Sequence, residues 1–528
     1  MNEDRRYFFF RCGAAVLSGF LITLSMPVKE FFFIGWFALT PLILVSLRQS
    51  KKAAFFLGIV SGLAFHITSL YWIPHVIHNF SNLPLAGNIP LFLLLVLYLS
   101  LFFGVFSLLV ALFNRSFGKN WVWAAPVAWT ALEYLKGNLL TGFPWCLLGY
   151  SQYRHPCLIQ VSTFTGVYGV SFILVFSSSI LAMAWIARKR IKSVLSLTAL
   201  AILLIVLNMT IGCMMIPESG NLSKDTFLVA CIQDNFSQEM RWESASEQEI
   251  EGVYRRLSLE AASQGADLII WPEATFPTYY GYNRDAGLRE TINRICSLCG
   301  VDILFGNTDV TGEGETLKVY NCTFLISPGG GAVQKYDKRH LVPWGEYTPL
   351  KSVFFFLDRI VEGISDFSPG EEEQDLLSTG SALRKDGRDV PFGVGICYEI
   401  IFPDLIRQMV DRGAQFVATL TNDAWFGPTS APYQHFAMAV FRSVENRRYL
   451  VRCATTGISG IVDPFGRIVR RSMLNERTVI MGPIRACEEK TFYTRHGDLF
   501  SYLMIFISLL LLILVYFNRK HDARREGS

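Results

Sequence analysis

Pro391–Pro403 reads P-F-G-V-G-I-C-Y-E-I-I-F-P. Pro391–Tyr398 is a short run rich in apolar residues and glycines, the pattern of a buried strand. A helix is expected to follow. Cys397 therefore stands where a strand gives way to a turn and then a helix, a setting that exposes a side chain beside unpaired backbone N–H groups. Similar runs lie at Phe227–Asn235, Ala266–Glu273, Asp302–Val310, Asn321–Ser327 and Phe416–Asn422, with amphipathic stretches at Ser246–Gln264 and Asp285–Cys299 between them. Strands alternating with helices predict a layered α/β domain, placed at residues 216–490.

Outside that domain the composition is that of a membrane protein. Of 528 residues, 51% are apolar and only 17% charged, against roughly 25% charged in soluble domains. Mean hydropathy is +0.33, which excludes a soluble, disordered or fibrous chain. A net charge of +4 is too small to argue for nucleic acid, and eleven cysteines give no readable disulfide framework. Seven apolar runs lie at 9–26, 31–48, 54–73, 88–113, 121–137, 163–187 and 194–213, and an eighth at 498–517. Each is close to the ~20 residues that cross a bilayer as a helix. The weakest, 121–137, carries Pro126, Glu133 and Lys136 and is predicted to pack inside the bundle. His66, within the third run, reads either as a functional intramembrane residue or, the preferred reading, as one making a hydrogen bond that faces the bundle.

Basic residues set the orientation. Arg5 and Arg6, then Arg48, Lys51 and Lys52, then Arg115 and Lys119, then Arg188, Lys189, Arg190 and Lys192, and finally Arg519, Lys520, Arg524 and Arg525 all fall in alternate connections. That side is predicted to be cytoplasmic, which puts 214–497 on the opposite face. The first run reads as an uncleaved span, because more spans follow and no small-residue cleavage site is evident. The expected organisation is a seven-span bundle at 1–215, an extracytoplasmic domain at 216–490, and a last span with a cytoplasmic tail at 491–528.

Three stretches of the α/β segment carry chemistry. Ile269–Thr275, I-I-W-P-E-A-T, ends a strand at Glu273; Lys335–Pro349, K-Y-D-K-R-H-L-V-P-W-G-E-Y-T-P, offers Lys335, Lys338 and Glu346; the third is the cysteine stretch. A thiolate attacks an acyl carbonyl, a carboxylate in an apolar wall takes the thiol proton, and an ammonium stabilises the oxyanion. Taken singly, such a cysteine is more often a small core residue, and an isolated Glu or Lys more often a surface charge.

The ordered set W-P-E, Y-x-K-x-x-L-V-P-x-G-E and G-V-G-I-C-Y-E resembles the nitrilase superfamily. With spans before and after, the whole chain resembles its membrane-bound branch, the apolipoprotein N-acyltransferase family. G-F-P-W at Gly142–Trp145, G-Y-S-Q at Gly149–Gln152, N-D-A-W-F-G at Asn422–Gly427 and R-H-G-D at Arg495–Asp498 extend the match. The resemblance implies an αββα sandwich beside an α-helical transmembrane bundle, and a Glu273–Lys338–Cys397 triad. Cys397 would take the sn-1 acyl chain of a phospholipid, typically phosphatidylethanolamine, as a thioester. The α-amine of an S-diacylglyceryl cysteine at the N-terminus of an apolipoprotein would then accept it. By the same resemblance Glu273 is the general base, and Lys338 with the N–H of Tyr398 forms the oxyanion site. Glu346, Tyr398 and Glu399 are supporting residues, while Trp242, Trp425 and Asn321 handle substrate. Trp344 stands where relatives often have Phe. The resemblance implies no metal or organic cofactor, and a place in a bacterial inner membrane with the catalytic domain on the periplasmic side.

Two other readings share part of this pattern. A membrane-tethered amidase of nitrilase type would use the same triad, but eight spans suit lipid substrates better than small soluble ones. A transporter would call for paired polar residues or broken helices at mid-membrane. Ser352–Val361, S-V-F-F-F-L-D-R-I-V, is apolar enough to form a lid whose Phe354–Phe356 enter lipid, or a helix over the domain's core. Cys296 and Cys299 have a metal-like spacing without a second pair, which helical spacing in a buried stretch explains. Lys335 is expected to be solvated.

Overall fold

The computed structural model describes residues 2–80, 85–217, 226–237, 240, 247–280, 286–329, 333–347, 367–380 and 389–526. The chain forms two compact units: Met1–Pro74 with Leu85–Pro217 and His496–Ser528, and His75–Pro84 with Glu218–Arg495.

The first unit is helical. Among the described residues six stretches are long and apolar enough to cross a membrane: Arg6–Ser25, Lys51–Ser69, Gly87–Thr141, Val167–Ile186, Ile191–Met214 and Leu499–Lys520. The 55-residue stretch contains two helices, Leu85–Phe117 and Trp121–Asn138, parted by a 3-10 turn at Gly118–Asn120. The run at 31–48 holds a 3-10 turn at Phe32–Trp36 and a seven-residue helix, Thr40–Ser46, which together make an apolar stretch shorter than the others. Pro41 falls in the first turn of that helix, where its missing N–H costs nothing. Ala38, Leu39, Leu42 and Ile43 are fully buried, so this run fills the bundle interior.

The weak run at 121–137 is buried as its charges require. Glu133 Oε1 accepts from the Leu148 N–H at 2.8 Å, and Lys136 Nζ donates to the Trp145 carbonyl at 3.3 Å. His66 is buried, with Nδ1 3.4 Å from Ser100 Oγ. Ile191–Met214 by contrast exposes Leu195, Leu203 and Leu207, the pattern of a helix that meets lipid. A disulfide joins Cys157 to Cys213.

The second unit holds twelve strands among the described residues. They are β1 (Phe227–Gln233), β2 (Leu268–Ile270), β3 (Asp302–Thr311), β4 (Lys318–Ile326), β5 (Gln334–Asp337), β6 (Leu377–Thr379), β7 (Val390–Ile396), β8 (Phe416–Thr421), β9 (Tyr449–Ala454), β10 (Gly460–Val462), β11 (Ile468–Arg471) and β12 (Thr478–Ile484). They form two sheets, ordered β12-β1-β2-β3-β4-β5 and β11-β10-β9-β8-β7-β6. The centre of each is parallel, β1-β2-β3 in one and β7-β8-β9 in the other.

The sheets pack face to face. Phe227 of β1 meets Phe416 of β8 with ring centroids 5.6 Å apart, and the Cys453 thiol of β9 donates to the carbonyls of Ile232 and Ile270 at 3.4 and 3.2 Å. Helices Glu247–Ser263 and Ala286–Cys299 cover the first sheet, burying Tyr254, Leu257, Ile292 and Ile295 against Trp271 and Phe305. Pro403–Asp411 and Ala431–Asn446 cover the second. Gly393 and Gly395 permit that close packing, because a Cβ at each would lie 2.9 Å from Met409 Cβ and 3.0 Å from Ile406 Cδ1. The layers are helix, sheet, sheet, helix.

Candidate active site

Glu273, Cys397 and Asn422 each lie just past the C-terminal end of a parallel strand, β2, β7 and β8 respectively, where side chains leave the sheet and become free to meet a ligand. Glu273 is only 5% exposed. Its Oε1 accepts from Asn321 Nδ2 at 2.8 Å and lies 3.5 Å from Lys338 Nζ, while Oε2 accepts from the Asn422 N–H at 2.8 Å. Asn321 is in β4 and Lys338 directly follows β5, its antiparallel neighbour; the Lys338 N–H donates to the Asn321 carbonyl at 2.8 Å. Register thus sets both side chains before the carboxylate.

Glu346 closes the group. Its Oε1 accepts from Lys338 Nζ at 2.8 Å and from Asn321 Nδ2 at 2.9 Å, and its Oε2 accepts from the Val342 N–H at 2.8 Å. Two carboxylates thus alternate with an ammonium and an amide, and with both acids ionised the ring carries one net negative charge. Burial alone would lower the Lys338 pKa, but Glu346 and then Glu273 outweigh it and hold the ammonium above the ordinary lysine range. Cys397 has φ of +50° and is almost wholly buried. Burial first, then the charge of Glu273, pushes its thiol above the usual range despite the opposing pull of Lys338. At neutral pH the sulfur rests as a thiol and requires a base.

Glu399 is fully buried and links the two halves of the group. Oε1 accepts from the Tyr336 hydroxyl at 3.0 Å and from the N–H groups of Arg339 and His340 at 2.6 and 3.1 Å, while Oε2 accepts from the Ile396 N–H at 2.8 Å. One carboxylate therefore ties the segment after Lys338 to the strand before Cys397. Tyr398 is buried, its ring 5.2 Å from Phe402 and 5.9 Å from His340. Glu399→Gln turns one of those oxygens into an amide that faces N–H donors. A buried donor left unmet costs about 1–3 kcal/mol, so melting in detergent shifts measurably downward. An unchanged melting temperature would remove this linking role.

The remaining sites fall as follows. Trp425 lies half-buried in the 3-10 turn Asp423–Phe426. Trp242 and the Ser352–Val361 stretch lie outside the described residues. Asn321, which the resemblance implies as a substrate contact, directs its amide at two carboxylates. Trp344 adopts φ of +64° in the turn before Glu346 and is 40% exposed. Lys335, expected to be solvated, is half-buried and also ion-paired: its Nζ lies 2.7 Å from Asp309 Oδ2 and 3.1 Å from Asp337 Oδ1. Cys296 is buried in its helix, its thiol donating to the Val301 carbonyl at 3.3 Å. Among the described residues no group of three or more His, Cys, Asp or Glu is placed to hold a metal ion.

Asn422, Asp423, His435 and Arg452 also reach this region and were not singled out from the sequence. The first two lie in the quoted N-D-A-W-F-G motif, which offered a signal; the others are polar residues inside apolar stretches.

Residues 18–180 match the sequence model of the apolipoprotein N-acyltransferase N-terminal domain, and 228–489 that of carbon-nitrogen hydrolases. The chain is similar to apolipoprotein N-acyltransferase from Geobacter metallireducens, 39% identical over 497 residues and 92% of each chain. It is 31% identical to that from Azotobacter vinelandii, over 91% of this chain and 90% of the relative. The Chlorobaculum tepidum protein of the same name is 27% identical over 96% of each chain. Among solved structures, Saccharomyces cerevisiae Nit3, a member of branch 10 of the nitrilase superfamily, aligns with 53% of this chain and 97% of its own at 19% identity, TM-score 0.37.

Proposed function

The chain belongs to the apolipoprotein N-acyltransferase family, membrane-embedded acyltransferases that act on lipoproteins, and we propose that it runs a two-step acyl transfer through Cys397. The observation that carries this reading is the buried ring of Glu273, Lys338, Glu346 and Asn321, whose charges act on a cysteine held as a thiol.

In the first step Glu273 takes the Cys397 proton and the thiolate attacks the sn-1 ester carbonyl of a phospholipid such as phosphatidylethanolamine. Lys338 and the Tyr398 N–H stabilise the oxyanion. As the C–O bond breaks, Glu273 returns its proton to the departing alkoxide, releasing a lysophospholipid and leaving a thioester. In the second step the α-amine of an S-diacylglyceryl cysteine attacks the thioester and yields a proton to Glu273. The C–S bond breaks, and that proton restores the thiol. Glu346 holds Lys338 charged and in place; Glu399 fixes its loop against the cysteine strand; Trp425 and Trp242 belong to the substrate side. Both substrates reside in a bilayer, which fits a bacterial inner membrane with this domain on its outer face.

Intact-mass analysis of the purified chain with phosphatidylethanolamine of one acyl composition tests the proposal. One acyl adduct on Cys397 is expected, discharged by an S-diacylglyceryl peptide with a free α-amine but not by its N-acetylated form. An adduct elsewhere, or none, would overturn it.

A further inference from the structure

Behind Cys397 lies a second buried polar group that the acyl chemistry does not use. His435 Nε2 is 3.1 Å from the Cys397 carbonyl oxygen, which can only accept, so Nε2 carries a proton. Nδ1 lies 3.0 Å from Arg452 Nη2 and 3.1 Å from Asp423 Oδ1. Burial, then the charge of Arg452, lowers the His435 pKa and favours the neutral ring. In the neutral Nε2–H tautomer Nδ1 accepts from Arg452 Nη2, which also donates to Asp423 Oδ2 at 2.8 Å. Asp423 Oδ1 accepts from the Thr421 hydroxyl at 3.0 Å. His435, Arg452 and Asp423 are all within 1% of full burial. Gly457 makes room for them, since a Cβ there would lie 2.2 Å from Asp423 Oδ2.

A cysteine at φ of +50° is in a disfavoured conformation that persists only where its surroundings impose it. The peptide joining Cys397 to Tyr398 is planar and trans, so its C=O and N–H point in opposite directions. Holding the carbonyl toward His435 aims the Tyr398 N–H the other way. That amide is among the first of the 3-10 turn Cys397–Ile401, whose leading N–H groups have no partner within the turn.

We infer that Asp423, Arg452 and His435 form a positioning chain that holds the 397–398 peptide plane, so that the Tyr398 N–H faces the developing oxyanion. This rests on Cys397 being the nucleophile. The chain touches the backbone of the nucleophile and not the lipid, so it acts on both chemical steps and leaves phospholipid binding alone.

The test compares wild type, His435→Leu and His435→Gln as full chains in detergent with phosphatidylethanolamine. Gln can offer an N–H to the carbonyl and an oxygen to Arg452; Leu can offer neither. His435→Leu is expected to slow thioester formation and discharge by about 100-fold, with KM for phospholipid within about twofold of wild type. His435→Gln should recover to within about tenfold of wild type. In wild-type protein carrying 15N-labelled histidine, the resonance that vanishes in His435→Gln should report a neutral Nε2–H ring at neutral pH. Wild-type rates in the Leu variant, a folded Gln variant as slow as Leu, or an Nδ1–H or doubly protonated ring would overturn the inference. If His435→Leu fails to fold, the Gln rate and the tautomer decide. An acyl adduct absent from Cys397 in wild type would instead defeat the underlying acyl-transfer reading, leaving the tautomer result standing by itself.

Discussion

Cys397→Ser and Cys397→Ala lose acyl uptake from phospholipid and transfer to the amine together, by about 10⁴-fold or more. The alanine variant lacks the thiol, and no other nucleophile is proposed among the described residues. The serine variant is the sharper case, because it keeps nearly the same shape. Burial and the charge of Glu273 already push the thiol pKa upward. A hydroxyl begins several units higher and meets the same surroundings, so Glu273 can no longer ionise it to any useful extent. Both variants should melt close to wild type, since the residue makes little of the core. Wild-type transfer by either one would remove Cys397 as the nucleophile.

Lys338→Met keeps the bulk of the side chain and removes its charge, and the thioester should then form at least ~1,000-fold more slowly. Loss of one oxyanion donor accounts for ~100- to 1,000-fold. The remainder comes from Glu273 and Glu346, which both lie against Lys338 Nζ, at 3.5 and 2.8 Å. Without the ammonium, two buried carboxylates share one site and one of them takes up a proton, which disables Glu273 as a base for part of the time. Removing one partner of a buried ion pair also costs about 3–5 kcal/mol of stability, so a fold-preserving companion is needed. Lys338→Met with Glu346→Gln restores the charge balance and should recover melting temperature without recovering activity. Recovered activity would mean that Lys338 serves the fold alone. Lys335→Met is the control: its partners are Asp309 and Asp337, and it should acylate at near wild-type rate with slightly lower stability.

Much of this site could be read before any coordinates. Glu273 and Cys397 each close or follow a short apolar run, and a buried strand ending in a polar residue is a local pattern, while Lys338 was legible only through its motif. The six strands foreseen all exist, with ends shifted by a few residues. Two of the strands missed each have a physical cause. β9, Y-L-V-R-C-A, carries Arg452 at its centre, and a charge inside an apolar run argues against burial unless its partner is known. That partner, Asp423, is 29 residues away. β11, I-V-R-R, is a largely exposed edge strand with almost no apolar pattern. Lys335 read as solvated because nothing near it in sequence shows that Asp309 stands across the sheet.

The sequence by itself determined the membrane-embedded class, the α/β domain, the order of the three motifs and the family they point to, since composition, hydropathy and strand ends depend on residues close together in the chain. Tertiary structure alone decided that the second apolar run forms a 3-10 turn and a short helix with buried residues, and that Cys157 meets Cys213 across 56 residues. It also decided that the Asn321 amide lies between Glu273 and Glu346, and that His435 and Arg452 gather behind the cysteine. Buried polar groups must find partners, and in a folded chain those partners come from whichever strand or helix packs nearest, a matter of sheet order and register that no local pattern records.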